Sequence, residues 1–331
     1  MLRRKLGAEG PEVSALGIGA MSFSNFYGPV TVDQSHAVLD AALDAGVDHI
    51  DTSNVYGMGV SETTIGEWLK KRGGESPYKI ATKASITRDA DGNRCYDNSP
   101  EHLEQELDGS LKRLGVDRVD LFYIHRRDPR FEIEEVMESL LALRAKGKID
   151  QIGFSEIAPT SLRRAAAVAP VAAVQSEYSL QTRLPELGLI QTCEALGTAL
   201  VAFSSVGRGL LSDTPPQPGA FPPASFMGSN PRFSGGNHER NLAASEALRD
   251  LARDVGVPTA TLAIAWVLGQ SPSILTIPGT RSTAHLSELL QGAESTMDPE
   301  LLLEIEKRLP VGWCHGARYS DEQMKGPEHY C

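Results

Sequence analysis

Eight times along this chain, a short run of apolar and β-branched residues meets a polar loop and then gives way to residues with helical spacing, often closed by glycine. Runs of that kind at 16–20, 47–51, 79–83, 119–125, 149–154, 172–175, 199–203 and 274–277 read as strands buried on both faces. Parallel strands joined by helices close into a (β/α)8 TIM barrel more readily than they form an open doubly wound sheet. The open-sheet dinucleotide fingerprint is also missing, because Gly17-Ile18-Gly19 leads into a loop of aromatics and not into a third glycine and a helix.

One unit shows the pattern in full. Residues 47–51 form a strand that delivers Asp51 to its own end, and a polar loop then carries Tyr56. Ser61 is expected to cap the following helix and Glu62 to favour its positive end. Ile65, Trp68 and Leu69 give that helix an apolar face, and Gly73-Gly74 stops it. Ser99-Pro100-Glu101 is a second clear helix start. Further helices are expected over 33–45, 132–146, 159–168, 186–196, 239–255 and 259–269, then around Leu286–Leu290 and on to 309.

Around this core, residues 2–13 suggest a small β-hairpin and residues 84–97 a polar loop. Residues 207–236, rich in Pro, Gly and Ser, form a connection long enough to be a functional lid. The tail, 310–331, has no period. The expectation is a single domain over 1–331, with its core at about 14–309.

With 331 residues the chain could hold two average domains or one barrel, and 41% hydrophobic content fills either. A net charge of −11 without a basic run argues against nucleic acid or an anionic membrane as partner. Cys95, Cys193, Cys314 and Cys331 lack metal-ligand spacing and read as reduced thiols, the last of them exposed. The N-terminal residues have no signal-peptide character, and no apolar run is long enough to span a bilayer, so the cytoplasm is the expected location.

Chemistry in a parallel barrel sits at the carboxyl ends of the strands. Asp51 ends the second strand, Tyr56 follows it, Lys83 ends the third and His125 the fourth. A nearby ammonium stabilises phenolate, and a carboxylate keeps that ammonium charged, so Tyr56 is expected to become acidic enough to donate a proton. His125 is placed to align a substrate carbonyl. Taken singly, each residue also has a plain structural reading: a loop cap, its ion-pair partner, a surface aromatic and a core imidazole. Four such groups at the ends of three adjacent strands favour a site.

At this point the chain resembles the aldo-keto reductase family. The strings HIDTSNVYG with SE following, IATK, DLFYIH, GKIDQIGFSE, AAVQSEYS, LVAFSSVGRGLL and TIPGTR occur in family order from about Leu6 to Leu290. GFSE and the tail string GARYSDEQM look most like the bacterial and plant branch acting on sugars, ketones and other small carbonyls. The resemblance implies an NADP(H)-binding barrel with Asp51, Tyr56, Lys83 and His125 as a catalytic tetrad. It places Ser155, Glu156 and Gln175 at the nicotinamide carboxamide, Phe203 against the ring, and Met21 and Asp51 beside the cofactor. Ser204, Ser205, Val206, Gly207, Arg208 and Gly209 would hold the pyrophosphate, while Gly279, Arg281, His285 and Glu288 would hold the adenosine end. Glu156 stands where relatives often carry Asn, and Leu289 and Ser282 depart from common residues at the adenosine end, so NAD(H) stays open.

Substrate selection is expected from Phe23, Tyr27, Arg126 and Arg127, with the long loop, Trp313 and Arg318. The two arginines either pair structurally, for instance with Asp128, or attract an anionic carbonyl compound. A small-molecule carbonyl is the expected partner, and a homo-oligomer is left open. The rival reading is a cofactor-sensing binding protein like the potassium-channel β-subunits of the same family.

Overall fold

Strand alternation in a closed cylinder decides which side chains reach the site. The computed structural model describes residues 1–295 and 297–330. A hairpin of β1 (Arg3–Lys5) and β2 (Glu12–Ser14) precedes the barrel, as expected. The barrel strands are β3 (Ile18–Gly19), β4 (His49–Asp51), β5 (Lys79–Ala84), β8 (Val119–Ile124), β9 (Ile149–Ser155), β10 (Ala173–Glu177), β11 (Ala199–Phe203) and β12 (Ile274–Thr276), hydrogen-bonded in that order and all parallel. A parallel bridge between Leu16 and Thr276 closes the ring, with Gly17 N donating to Thr276 O at 2.8 Å and Thr276 N to Ala15 O at 2.9 Å. All eight expected strands are present, with ends shifted by a few residues.

The outer helices are α1 (Val32–Asp44), α2 (Val60–Arg72), α3 (Pro100–Leu114), α4 (Ile133–Ala145), α5 (Pro159–Val168), α6 (Leu189–Leu196), α7 (Gly236–Val255), α8 (Thr259–Gly269), α9 (Thr283–Glu294) and α10 (Pro299–Arg308). Ile50, Ile80, Phe122, Ile124, Ile152, Phe154, Val174 and Leu200 point outward and pack beneath them. Their neighbours along the strands, including Ala81, Leu121, Tyr123, Ala173, Val201 and Leu275, fill the barrel interior. Large interior rings lie over glycines of the adjoining strand: a Cβ on Gly153 would lie 2.5 Å from the Tyr123 ring, and one on Gly17 would lie 2.1 Å from His49 Nε2.

Three local expectations change. α2 begins at Val60 behind Gly59, whose φ of 92° a side chain would resist, and Ser61 is no cap; its hydroxyl instead donates to Ala20 O at 2.8 Å and meets Thr52 Oγ1. The stretch read as a polar loop contains a hairpin, β6 (Ile86–Arg88) with β7 (Arg94–Tyr96). Its turn is built by Asp89, whose Oδ1 accepts from the amides of Asp91 and Asn93. Having no apolar face, it left no strand signal in the sequence. The long loop between β11 and α7 has a small core of its own, in which Leu210, Met227 and Phe233 pack with Phe26, Phe221 and Phe226.

The tail crosses the carboxyl rim of the barrel. Asn230 Nδ2 holds Arg318 O at 2.6 Å, Trp313 Nε1 donates to Leu180 O at 2.8 Å, and Glu328 N donates to Glu156 O at 2.8 Å. Cys95, Cys193 and Cys314 are unpaired, and Cys331, expected to be exposed, lies outside the described residues. Among the described residues, no single helix is long and apolar enough to cross a membrane.

His49 makes the fold sensitive to acid. Its ring is sealed against Gly17, and burial pulls its pKa from 6.5 to about 4. The unfolded chain therefore takes up a proton that the folded chain refuses. Stability is full above pH 6.5 and falls as pH drops through the window to about 4, by about 3 kcal/mol for this group. Urea midpoints at pH 7 and 5 should differ less in His49→Gln than in the wild-type protein. An equal difference would assign the acid sensitivity to other groups.

Candidate active site

Period-two alternation puts Asp51, Lys83, Ser155, Gln175 and Phe203 on the interior face at or near the carboxyl ends of their strands, and His125 directly after β8 continues that face. Lys83 is fully buried, and its Nζ touches three oxygens: Asp51 Oδ1 in a close ion pair, Thr52 O at 2.8 Å and the Tyr56 hydroxyl at 3.2 Å. Gln175 Nε2 donates to the second Asp51 oxygen at 2.8 Å. The imidazole of His125 stands edge-on to Tyr56, with ring centroids 5.8 Å apart, and its Nδ1 lies 3.1 Å from Ser53 Oγ.

Burial works against the Lys83 ammonium, yet Asp51 and then the Tyr56 oxygen outweigh it and hold the pKa above the usual lysine value. Burial pushes the Tyr56 phenol above its ordinary value, with Lys83 drawing it down and Asp51 opposing. The expectation of a phenol made acidic at rest is thus corrected: Tyr56 keeps its proton firmly, and Lys83 limits the penalty of giving it up. Burial, reinforced by Arg126, Lys83 and Arg94, holds His125 well below the ordinary histidine value, so the ring is neutral.

These groups open onto a cavity of about 1260 Å³. At its reacting end lie Asp51, Tyr56, His125, Ser155, Gln175 and Phe203. Ser204, Ser205, Val206, Arg208 and Gly209 line one wall, and Met21 and Gly279 another. Arg281, His285 and Glu288 line the far end, and Tyr27 and Arg126 also face the space. Two wall residues have donors to spare, since the backbone amides of Ser205 and Val206 bond to nothing among the described residues. Ser204 and Arg208 hold φ of 55° and 57°, a left-handed kink that turns successive amides into a concave nest for an anion. The donors fit a diphosphate.

Several expected residues lie elsewhere. Phe23 is packed in the core under the helices and does not reach the cavity. Gly207 is buried in the turn, where a Cβ would crowd Leu211 and Gln181. Arg127 donates to Phe131 O at 2.7 Å and pairs at 3.5 Å with Glu328 of the tail; Asp128 pairs with Arg130 instead. Trp313 and Arg318 are likewise structural and do not line the space.

Glu156 is the clearest correction. Ser155 ends β9 facing inward, and the chain then takes a left-handed φ of 58° at Glu156, whose Oε1 accepts from Glu177 N at 2.8 Å and from the outward Ser176 Oγ. Its Oε2 forms a buried ion pair with Arg318. Burial pulls the Glu156 carboxyl up, but Arg318, helped by Arg126 and the Glu177 amide, holds it below the ordinary value.

Other residues give no warning in the sequence. Tyr319 of the tail and Phe226 of the long loop line the cavity on either side of Arg208, whose guanidinium lies 5.3 Å from the Phe226 ring and 5.7 Å from that of Tyr319. Arg208 is anchored beneath by Glu177 at 3.0 Å, and Arg208, Arg232 and Arg318 together overcome burial to bring Glu177 to about 2. Arg94 reaches the cavity from the unforeseen hairpin.

Residues 15–309 match the Aldo/keto reductase family. The chain belongs to that family. This aldo/keto reductase is 35% identical to "Aldo-keto reductase yakc [NADP(+)]" of Schizosaccharomyces pombe, over 96% of this chain and 94% of the relative. It is 36% identical to "Aldo-keto reductase str7" of Strobilurus tenacellus, over 92% and 90% of the two chains. Among solved structures it resembles the glycerol dehydrogenase AKR11B4 of Gluconobacter oxydans, with a TM-score of 0.81 and 27% identity over 93% of this chain and 95% of that one. A thermostable aldo-keto reductase, Tm1743, solved with the inhibitor epalrestat, gives a TM-score of 0.74 at 26% identity, covering 93% and 100%.

The Arg318–Glu156 pair yields a stability test. Arg318→Leu leaves a buried carboxylate without its counter-ion and should cost about 3–5 kcal/mol in thermal or urea unfolding. Adding Glu156→Leu should recover most of that loss; a double variant as unstable as the single one would show that Arg318 acts through packing alone.

Proposed function

We propose that this aldo/keto reductase reduces the carbonyl group of a small aldehyde or ketone to an alcohol, using NADPH, with Tyr56 as proton donor. The observation carrying this reading is the Lys83 ammonium set between Asp51 and the Tyr56 hydroxyl, beside a neutral His125, at the mouth of a cavity that continues past free backbone amides to Arg281 and His285. The name of the fission-yeast relative, which specifies NADP(+), supports the cofactor. The alternative of a cofactor sensor gains no support from the relatives named above.

Ser155 and Gln175 would hold the carboxamide, Phe203 would flank the nicotinamide, the Ser205 and Val206 amides would take the pyrophosphate, and Arg281 with His285 would meet the adenosine phosphate. The bound reduced nicotinamide supplies the hydride. Tyr56 donates the proton at its hydroxyl to the carbonyl oxygen, and Lys83 stabilises the phenolate that remains. In the tautomer whose Nδ1 accepts from Ser53 Oγ, neutral His125 carries its hydrogen on Nε2 and can donate to the same oxygen, fixing the carbonyl in place. Held in a buried wall, both donors act without rearranging solvent.

Tyr56→Phe should lower kcat by about 100-fold or more while NADPH affinity, read from nicotinamide fluorescence, stays within about twofold. Unchanged turnover would remove Tyr56 from its role. The pH profile of reduction follows from the two shifts: His125 stays neutral well below 6.5, and Tyr56 stays protonated beyond 10.0. The kcat profile should therefore show no inflection near pH 6.5 and should fall only on the alkaline side. An acid limb at 6.5 that disappears in His125→Asn would contradict the neutral-histidine role.

A further inference from the structure

Most cations buried around the rim have a carboxylate partner: Lys83 pairs with Asp51, Arg208 with Glu177, Arg318 with Glu156 and Arg127 with Glu328. Four arginines facing the cavity, Arg88, Arg94, Arg126 and Arg281, have none among the described residues, and of these Arg94 and Arg126 act on the reacting His125. Arg126, 8% exposed at the end of β8, uses Nη1 to donate to His125 O at 2.6 Å and Ser155 Oγ at 3.0 Å. Its Nε and Nη2 donate to no described residue, and no carboxylate of the described residues lies within ion-pair distance of it. Arg94 lines the same cavity from β7, its guanidinium 5.7 Å from the Tyr96 ring, and makes no ion pair among the described residues. The tail packs behind both: a Cβ on Gly326 would meet the Tyr96 hydroxyl at 2.5 Å and Arg126 Cδ at 3.0 Å.

Leaving the Arg126 guanidinium in a buried wall without a counter-ion is costly, and an anionic ligand removes that cost; Arg94, exposed on β7, adds a second positive charge to the same space. The chain as a whole has a net charge of −11, so this positive corner is local and runs against the general field. It also adjoins the reacting groups, since Arg126 and Arg94 both help, after burial, to keep His125 neutral. A planar guanidinium fork matches a carboxylate through two parallel hydrogen bonds.

We propose that Arg94 and Arg126 form an anion subsite, so that the preferred substrate is an aldehyde or ketone carrying a carboxylate at the end remote from its carbonyl. This rests on the reductase reading above. It replaces the sequence-based pairing of Arg126 with Arg127, whose side chain is held by the tail. Arg94 acts as the specificity residue; Arg126 has a second task in bonding Ser155, so its replacement also disturbs the cofactor side.

The test compares matched aldehydes with NADPH: 4-formylbenzoate against 4-formylbenzamide, and 6-oxohexanoate against hexanal. The wild-type enzyme should favour the anion in kcat/KM by about tenfold or more in at least one pair, through KM. The KM of that anion should rise between about 50 and 500 mM salt while that of its neutral partner stays level. Arg94→Gln should cut the anion-to-neutral ratio by about tenfold, the neutral aldehyde reporting on folding and chemistry. Equal use of both members of each pair overturns the subsite and leaves the reductase reading standing, whereas failure to reduce any of the four aldehydes counts against that reading itself. A preference for anions that survives both Arg94→Gln and Arg126→Gln overturns the assignment to these residues.

Discussion

An ammonium ion sealed inside a protein stays there only because oxygen atoms replace the water it has lost. Lys83 has three, and each comes from the second strand or its loop: the Asp51 carboxylate, the Thr52 carbonyl and the Tyr56 hydroxyl. The cation therefore fixes the loop as firmly as the loop fixes the cation. Removing any one oxygen leaves the others with a poorly solvated charge, which is why the arrangement behaves as a unit and not as a set of separable contacts. Gln175, reaching Asp51 from four strands away, extends the same network across the cavity floor.

The barrel makes that network possible through a parity rule. In each parallel strand, alternate residues face the interior, so a polar side chain at an inward position beside the carboxyl end is delivered to the mouth without loop geometry being specified. Asp51, Lys83 and His125 were legible in the sequence for this reason, each lying on or directly after a strand whose apolar run could be counted, whereas Ser155, Gln175 and Phe203 were placed by the family resemblance. Glu156 shows the limit. It sits one residue past Ser155 in a string that resembles cofactor-binding ones, where the chain leaves the strand with a left-handed φ of 58° and the carboxylate meets Ser176 and Arg318.

What could not be read is what depends on segments without a period. Phe23, placed at the cavity by its position in an aromatic loop, is drawn into the core, while Phe26 and Tyr27, three and four residues further on, face the opening. The β6–β7 hairpin is polar on both faces, and its register depends on an aspartate turn. Arg127 and the tail find each other across a sequence separation no local pattern encodes. The resemblance to known reductases located the chemistry, but the structure was needed to say which charges around it are already answered.

The tail brings a consequence of its own. Glu156 is on β9's exit, near the middle of the chain, whereas its counter-ion Arg318 comes close to the end. During synthesis the cylinder's staves are all available while that acid still lacks a match. A stop codon just ahead of Arg318 would therefore spare every strand and helix of the barrel, yet yield a protein whose rim carries an unneutralised carboxylate, complete in outline and unfinished beside the place where it works.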